Sequence, residues 1–526
     1  MSTLFTNGHI FTAQDAHTFH TAMLVNNGQI TWVGDRPQDQ QANHTVDLKG
    51  RTVLPGLIDV HTHPKYIADA LHGVACTPPL VNSIAEMQDA LRHSPAFGKG
   101  PHTWIEGWGF DETKLAEHRS PNRHDFDQVS TTQPIFIYRS DCHSSVGNSK
   151  ALELAGIDRN TPDPVGGFIG HFPDGEPNGF MREVAASQLL IRVKSSLSYE
   201  TDVKNMVNSS RHYLQNGLVA IGEMMGRKQP YDSAQLYHDA DADGFAPKTA
   251  IYYVFDELDS QQAMLPYVDD RLRITGIKLF MDGSVSGETA YNHTKYPNGQ
   301  QGVCLSDAAK LKRAVAFARK NHLQVATHAM GDAANELVVE TTKGMDPWLT
   351  DRPSIRIEHA SLLSDKLLND IKGAKMNYAI CTQPIFFFAE EESYRRYLTE
   401  TQRTTAYRCR SMIDTGRLFA LSSDAPCTPW AEPDSPFINI YAAVTRRSST
   451  GQTLNSSEAI SIPEAVLAYT KWPAEIGGFT QNGQLIPGKD ADFVILNNDI
   501  FAVPAERLKS VRVLQTWIAG HCVYRA

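Results

Sequence analysis

Two histidines one residue apart, His61 and His63, close the run Pro55-Gly56-Leu57-Ile58-Asp59-Val60-His61-Thr62-His63. On a strand, residues two apart share a face. Leu57, Asp59, His61 and His63 therefore point one way, and two imidazoles at a strand terminus suit one metal ion. An HxH pair alone also fits an ordinary polar strand end; the PGLID context favours the ligand reading. In Gly276-Ile277-Lys278-Leu279-Phe280-Met281 the apolar face is Ile277, Leu279 and Met281, which turns Lys278 inward beside Gly276. A buried, unpartnered ammonium is costly. Either a carboxylate pairs with it, or carbon dioxide converts the amine to a carbamate with two anionic oxygens able to bridge two metals. Further apolar runs end in His328 (Val325-Ala326-Thr327-His328), in His359 (Ile355-Arg356-Ile357-Glu358-His359) and in Asp424 (Leu418 to Asp424). Each has a plainer reading by itself: a satisfied core histidine, or a helix N-cap for Asp424. Successive histidine endings after an HxH strand favour a ligand set.

Such endings need a scaffold that gathers strand termini. The middle of the chain alternates apolar strands with helical stretches, the pattern of a parallel sheet. Strands are expected near 53–60, 218–223, 249–255, 273–281, 323–328, 354–358, 377–382 and 418–423. Eight βα units predict an α/β TIM barrel, whose active site lies at the C-terminal strand ends. The barrel is expected over 55–479, with a large insertion after its first strand, residues 64–215, covering the mouth. Residues 1–54 and 480–526 hold short alternating runs and turn signals, and predict one small β-sandwich built from both termini. Trp108, Arg139 and His143 in the insertion, and Gln383 at the end of the seventh strand, are candidates to line a substrate pocket; packed or solvated roles compete. By strand alternation Arg356 and Glu358 face away from His359, which predicts an ion pair in the helix layer. Asp59 points inward beneath His61, to orient it or to build the barrel floor.

The chain has 526 residues and a formal net charge of −10 without a long charged run. That argues against nucleic acid, which needs a basic surface, and leaves a small-molecule substrate. No stretch of about 18 apolar residues predicts a membrane span. The N-terminus shows no secretory pattern. The seven cysteines form no CxxC pair or disulfide framework. These features predict a cytoplasmic protein, compatible with a homodimer.

Taken together and in this order, PGLIDVHTH, GIKLFMDGS, THAMGD, RIEHA and SSDAP resemble the amidohydrolase superfamily. More narrowly they resemble its YtcJ-like branch, which includes N-substituted formamide deformylases. WIEGWGFDE (104–112) and CHSSVGNSKALELAGI (142–157) are similar to that branch too, so the resemblance covers nearly the whole chain. It implies His61 and His63 on one metal, His328 and His359 on a second, a carbamylated Lys278 between them, and Asp424 on the first metal moving a proton. Asp424, Lys278 and His328 are the implied catalytic groups. Two divalent metals are implied, and zinc suits imidazole and carboxylate donors. The implied reaction is hydrolysis of an amide, formamide or cyclic amide C–N bond. An ester, lactone or phosphoester hydrolase on the same site, and a non-catalytic regulatory homologue, are the alternatives.

Overall fold

The computed structural model describes residues 2–164, 166–194, 198–258, 269 and 271–526. Eight parallel strands form one sheet: β1 (Leu57–Thr62), β2 (Leu218–Gly226), β3 (Lys248–Val254), β4 (Leu272–Phe280), β5 (Gln324–Ala329), β6 (Ile355–His359), β7 (Tyr378–Thr382) and β8 (Leu418–Leu421). They pair in sequence order from β1 to β8. Ser423, just past β8, donates its N–H to Asp59 Oδ1 on β1 at 3.3 Å and brings the last strand back to the first. This is the expected TIM barrel. Its strands are buried on both faces, as parallel strands under a helix layer must be.

The helices follow from their sequences. In Ala308–Lys320, Asp307 caps the first turn by accepting the Lys310 N–H, and Arg319 and Lys320 close the last. Leu311, Ala314, Val315 and Ala318 lie on its buried face, the i, i+3, i+4, i+7 spacing of an amphipathic helix. Inside the barrel, small residues (Ala220, Ala250, Ala326, Ala379, Ala420) surround one large ring, Tyr252. Gly276 serves that ring: a Cβ there would sit 2.5 Å from Tyr252 Cδ1.

The expected first strand, 53–60, is two strands in two sheets. Thr52–Pro55 pairs with Phe493–Leu496 and His9–Phe11, whereas Leu57–Thr62 opens the barrel. The change falls at Gly56, where a Cβ would lie 2.4 Å from Val219 Cγ2 on β2. Gly56 N–H bonds Asp492 O in the β-domain, and the next N–H, of Leu57, bonds Gly217 O beside the barrel. The β-domain consists of this six-stranded sheet and a four-stranded sheet from residues 2–47. Phe5, Met23, Val25, Ile30, Val53, Phe493 and Ile495 fill the space between them. Both termini are therefore required.

The chain divides into two compact units. Residues 1–63, 206–423 and 434–526 carry the barrel and the β-domain. Residues 64–205 with 424–433 make the second. Residues 206–215, which the sequence reading placed in the insertion, fold with the barrel. The second unit has a six-stranded sheet running from Phe168–His171 at one edge to Val74–Ala75 at the other, with apolar cores of its own. Among the described residues no helix is long and apolar enough to cross a membrane.

Gly222 on β2 gives a test of how tightly the barrel closes around β1. A Cβ there would stand 2.2 Å from the Val60 carbonyl oxygen, which is backbone and cannot swing aside. Gly222→Ala is expected to force β1 and β2 apart at a cost of about 1–3 kcal/mol. Urea unfolding should show a lower midpoint; an unchanged midpoint would contradict the packing.

Candidate metal centre

The site begins on β1, where Asp59 and His61 point into the barrel and are each 1% exposed. His61 Nδ1 lies 2.6 Å from Glu358 Oε2. Glu358 is held from its other side by Arg356, whose Nε donates to Oε1 at 2.7 Å. The remaining guanidinium donors reach Tyr252 Oη at 2.8 Å and Val60 O at 2.9 Å. The Arg356–Glu358 pair thus exists, but it fills the barrel interior, not the helix layer. The reason lies at the end of β6. His359 has φ +68° and Ala360 φ +47°, so strand alternation stops after Glu358. Glu358 and His359 then both serve the interior: the His359 ring lies 4.8 Å from that of His61 and 4.3 Å from that of His328. Burial pushes the Glu358 carboxyl up, but Arg356 and then His61 outweigh it and hold it down at about 2. At neutral pH it is an anion that accepts the His61 Nδ1–H. That leaves the Nε2 lone pair of His61 facing the site, 3.2 Å from Lys278 Nζ.

The other rings are held in the same manner. His359 Nδ1 is 2.9 Å from Gln383 Oε1, and Gln383 Nε2 donates to Ser422 Oγ at 2.8 Å. His359 therefore presents Nε2; a ring nitrogen of His359 and one of His61 lie within 4.8 Å of each other. His328 Nε2 faces the Gly283 carbonyl at 3.0 Å, which leaves Nδ1 with the lone pair. Asp282, 3.6 Å from the same ring, accepts the N–H groups of Tyr291, Met330 and Gly331 and ties the β4 and β5 loops together. Burial raises its carboxyl to about 7. His63 Nδ1 lies 3.8 Å from Glu223 Oε1. Imidazoles whose outer nitrogen is tied to a carboxylate, amide or carbonyl are the usual form of metal-binding histidines. This nitrogen-rich set fits a divalent cation.

Asp424 follows Ser423 directly, is buried, and has φ +55°. It opens the 424–433 segment of the second unit, where its carboxylate and the Cys427 thiol lie within 4.8 Å. Asp59 is raised by burial to about 7, and its Oδ1 accepts the N–H groups of His61 and Ser423. Gln383 is fully buried with both ends of its amide engaged, by His359 and by Ser422, so it orients the His359 ring. In the second unit, Arg139 is committed to Glu112 and Asp141, with Asp111 beside it. Trp108 sits half-buried in the strand Ile105–Phe110, and half-exposed His143 pairs with Glu183 at 3.3 Å. The sequence reading missed Glu358, Gln383 and Asp282 as positioning groups. Glu358 and Asp282 stood inside the RIEHA and GIKLFMDGS motifs; the signal was a carboxylate beside a ligand candidate.

Fold and site together define a hydrolase barrel of the amidohydrolase type. The sequence profile of the amidohydrolase family matches residues 44–524, and the chain belongs to that family. Among its relatives is the N-substituted formamide deformylase of Arthrobacter pascens, 27% identical over 98% of this chain and 96% of the relative. The putative amidohydrolase YtcJ of Bacillus subtilis (strain 168) is 28% identical over 100% and 99%. Both place the chain in the YtcJ-like branch. The crystal structure of an uncharacterized metal-dependent hydrolase from Pyrococcus horikoshii shares the fold, with a TM-score of 0.75 and 24% identity over 96% of this chain and 99% of that one.

Gln383→Leu separates orientation from ligation, because it removes the acceptor for His359 without touching a ring. Divalent-metal affinity, read by competition with a chromogenic chelator, is expected to fall about 10–100-fold. Unchanged affinity would show that Gln383 does not position His359.

Proposed function

We propose that this chain is a metal-dependent hydrolase that cleaves the C–N bond of an amide, a formamide or a cyclic amide. One observation carries the reading: the rings of His61, His328 and His359, from three barrel strands, cluster with that of His359 4.8 Å from His61 and 4.3 Å from His328, each ring held from behind. Lys278 on a fourth strand reaches His61 there. His61, His63, Lys278, His328, His359 and Asp424 would hold two divalent cations, zinc by donor type. Bound there, the cations supply Lewis acidity, which acidifies water and polarises a carbonyl.

The protein's own groups do the rest. Lys278 as a neutral amine adds to carbon dioxide: its lone pair forms the N–C bond, a C–O π pair moves onto oxygen, and nitrogen sheds a proton to water. The product shares one negative charge between two oxygens, either of which can bind a cation, where an ammonium offers none. The Asp424 carboxylate accepts the proton of the attacking water and returns it to the leaving nitrogen, which departs only when protonated. Glu358 keeps His61 in one tautomer throughout. The family and the formamide deformylase relative support a C–N substrate. Residues 64–205 leave the barrel directly after His63, and 424–433 directly after Ser423. Both departures are at C-terminal strand ends, where TIM-barrel sites are built, and we assign the second unit the role of limiting substrate size.

Purified active protein should contain about two divalent cations per chain and lose activity to chelators. A panel of formamides, amides and esters should show the C–N substrates turned over faster. Activity without any divalent metal would sink the metal reading, and ester-only turnover would sink the substrate reading.

Lys278→Ala should lower metal content and activity together, and a short carboxylic acid should restore part of both. Asp424→Asn should lower turnover by about 10²–10⁴-fold, the range for a lost general acid–base group, with metal content reduced less. A fully metallated, active enzyme with an unmodified amine at Lys278 would refute the carbamate.

A further inference from the structure

In the second unit the strands Val74–Ala75, Ile105–Phe110 and Ile135–Arg139 lie side by side and run parallel. Just past their C-terminal ends stand Thr77, Asp111 and Ser140, none more than 1% exposed. Each has a side-chain oxygen with no hydrogen-bond partner among the described residues: Thr77 Oγ1, Asp111 Oδ2 and Ser140 Oγ. The backbone places them together. Ser140 N–H bonds Phe110 O at 2.9 Å, which carries the parallel ladder one step past the Phe110–Arg139 pair and sets Asp111 beside Ser140. Paired residues of a ladder turn their side chains to one face. On the other flank, Cys76 N–H bonds Trp108 O at 2.8 Å. A Cβ at Gly109, two residues before Asp111, would stand 3.2 Å from Thr77 Cγ2 and 4.0 Å from Thr77 Oγ1, so Thr77 lies against the same strand end.

The charges around these oxygens do not balance. Arg139 Nε donates to Glu112 at 2.9 Å and Nη1 to Asp141 at 3.0 Å. Its Nη2 lies 3.9 Å from Asp111 Oδ1, too far for a hydrogen bond. Asp111 Oδ1 accepts the Thr113 N–H and hydroxyl instead. The Glu112 side chain is 32% exposed and meets water; those of Asp111 and Asp141 are far less exposed. The buried remainder is two carboxylates for one guanidinium, one positive charge short. Buried charges are paired or coordinate metals. A water among the three oxygens would make hydrogen bonds and leave the charge unmet, whereas a cation supplies it. Ligands of oxygen alone select a hard cation over a transition metal. Calcium recruits more oxygens and more carboxylates, and magnesium keeps several waters. One missing charge and one open carboxylate oxygen match a monovalent ion. We propose that Asp111 Oδ2, Ser140 Oγ and Thr77 Oγ1 bind a sodium or potassium ion, which ties together three strand ends of the second unit. The site does not rest on the metal reading above.

Thermal unfolding of the full chain tests the site, with a chelator in every sample so that divalent ions play no part. At equal ionic strength the midpoint should stand several degrees higher in potassium or sodium chloride than in choline chloride. The rise should saturate with alkali concentration, as binding to the folded state requires, and the larger rise identifies the ion. Asp111→Asn removes the charge and should abolish the rise. Ser140→Ala removes only a hydroxyl and should move saturation to higher alkali concentration. Equal midpoints in the three salts would overturn the site. So would an alkali response that both variants keep unchanged, because the ion would then bind elsewhere. Should Asp111→Asn fail to fold, the saturation point of Ser140→Ala decides alone.

Discussion

The Arg356–Glu358 ion pair inside the barrel is the contact on which the rest depends. Two fully buried charges are tolerable only when nearly every donor and acceptor is used. Here Arg356 spends its donors on Glu358, Tyr252 and Val60, and Glu358 spends its remaining lone pairs on His61. Losing one partner of such a pair typically costs about 3–5 kcal/mol. The same bonds fix the tautomer of His61, so barrel stability and site chemistry share one network.

The network reaches the barrel floor. The Tyr252 hydroxyl donates to Gln324 Oε1 at 2.5 Å, and Gln324 Nε2 reaches the carbonyls of Pro353 and Ile476. A guanidinium and a phenol ring in one barrel layer demand small neighbours, which explains the inward alanines and Gly276. The packing of the β-domain continues this economy of space at Gly56, where the chain passes from one sheet to the other, and at Gly217, where a Cβ would lie 2.9 Å from Val494 Cγ1. Within the same unit, Lys248 ties the barrel to the β-domain by its ion pair with Asp490.

Much of this was legible in the sequence because a parallel barrel strand has a simple signature: a short apolar run, a side-chain period of two, and a polar residue at its end. That signature located the eight strands, turned Lys278 inward and marked His61, His328 and His359. The β-domain was legible because both ends alternate in the same way. The sandwich still needed the tertiary structure to show which runs break. Leu4 to Phe11 reads as one strand and is two, parted at Asn7, which has φ +54°.

What the sequence could not show was anything that depends on where alternation ends or on which distant residue stands behind a ring. His359 and Ala360 adopt left-handed backbone, and no rule of period two survives such a turn. That is why Glu358 was assigned to the wrong layer. Gln383 reads as a polar strand end whichever way its amide points; only its distances to His359 and Ser422 show its role. The residues proposed to bind metal and to move protons were written in the local pattern, since each lies on or just past the end of one strand. Their tautomers, their buried partners and the shape of the space between them were decided by contacts as much as 297 residues apart along the chain, as between His61 and Glu358, and only the folded barrel brings those together.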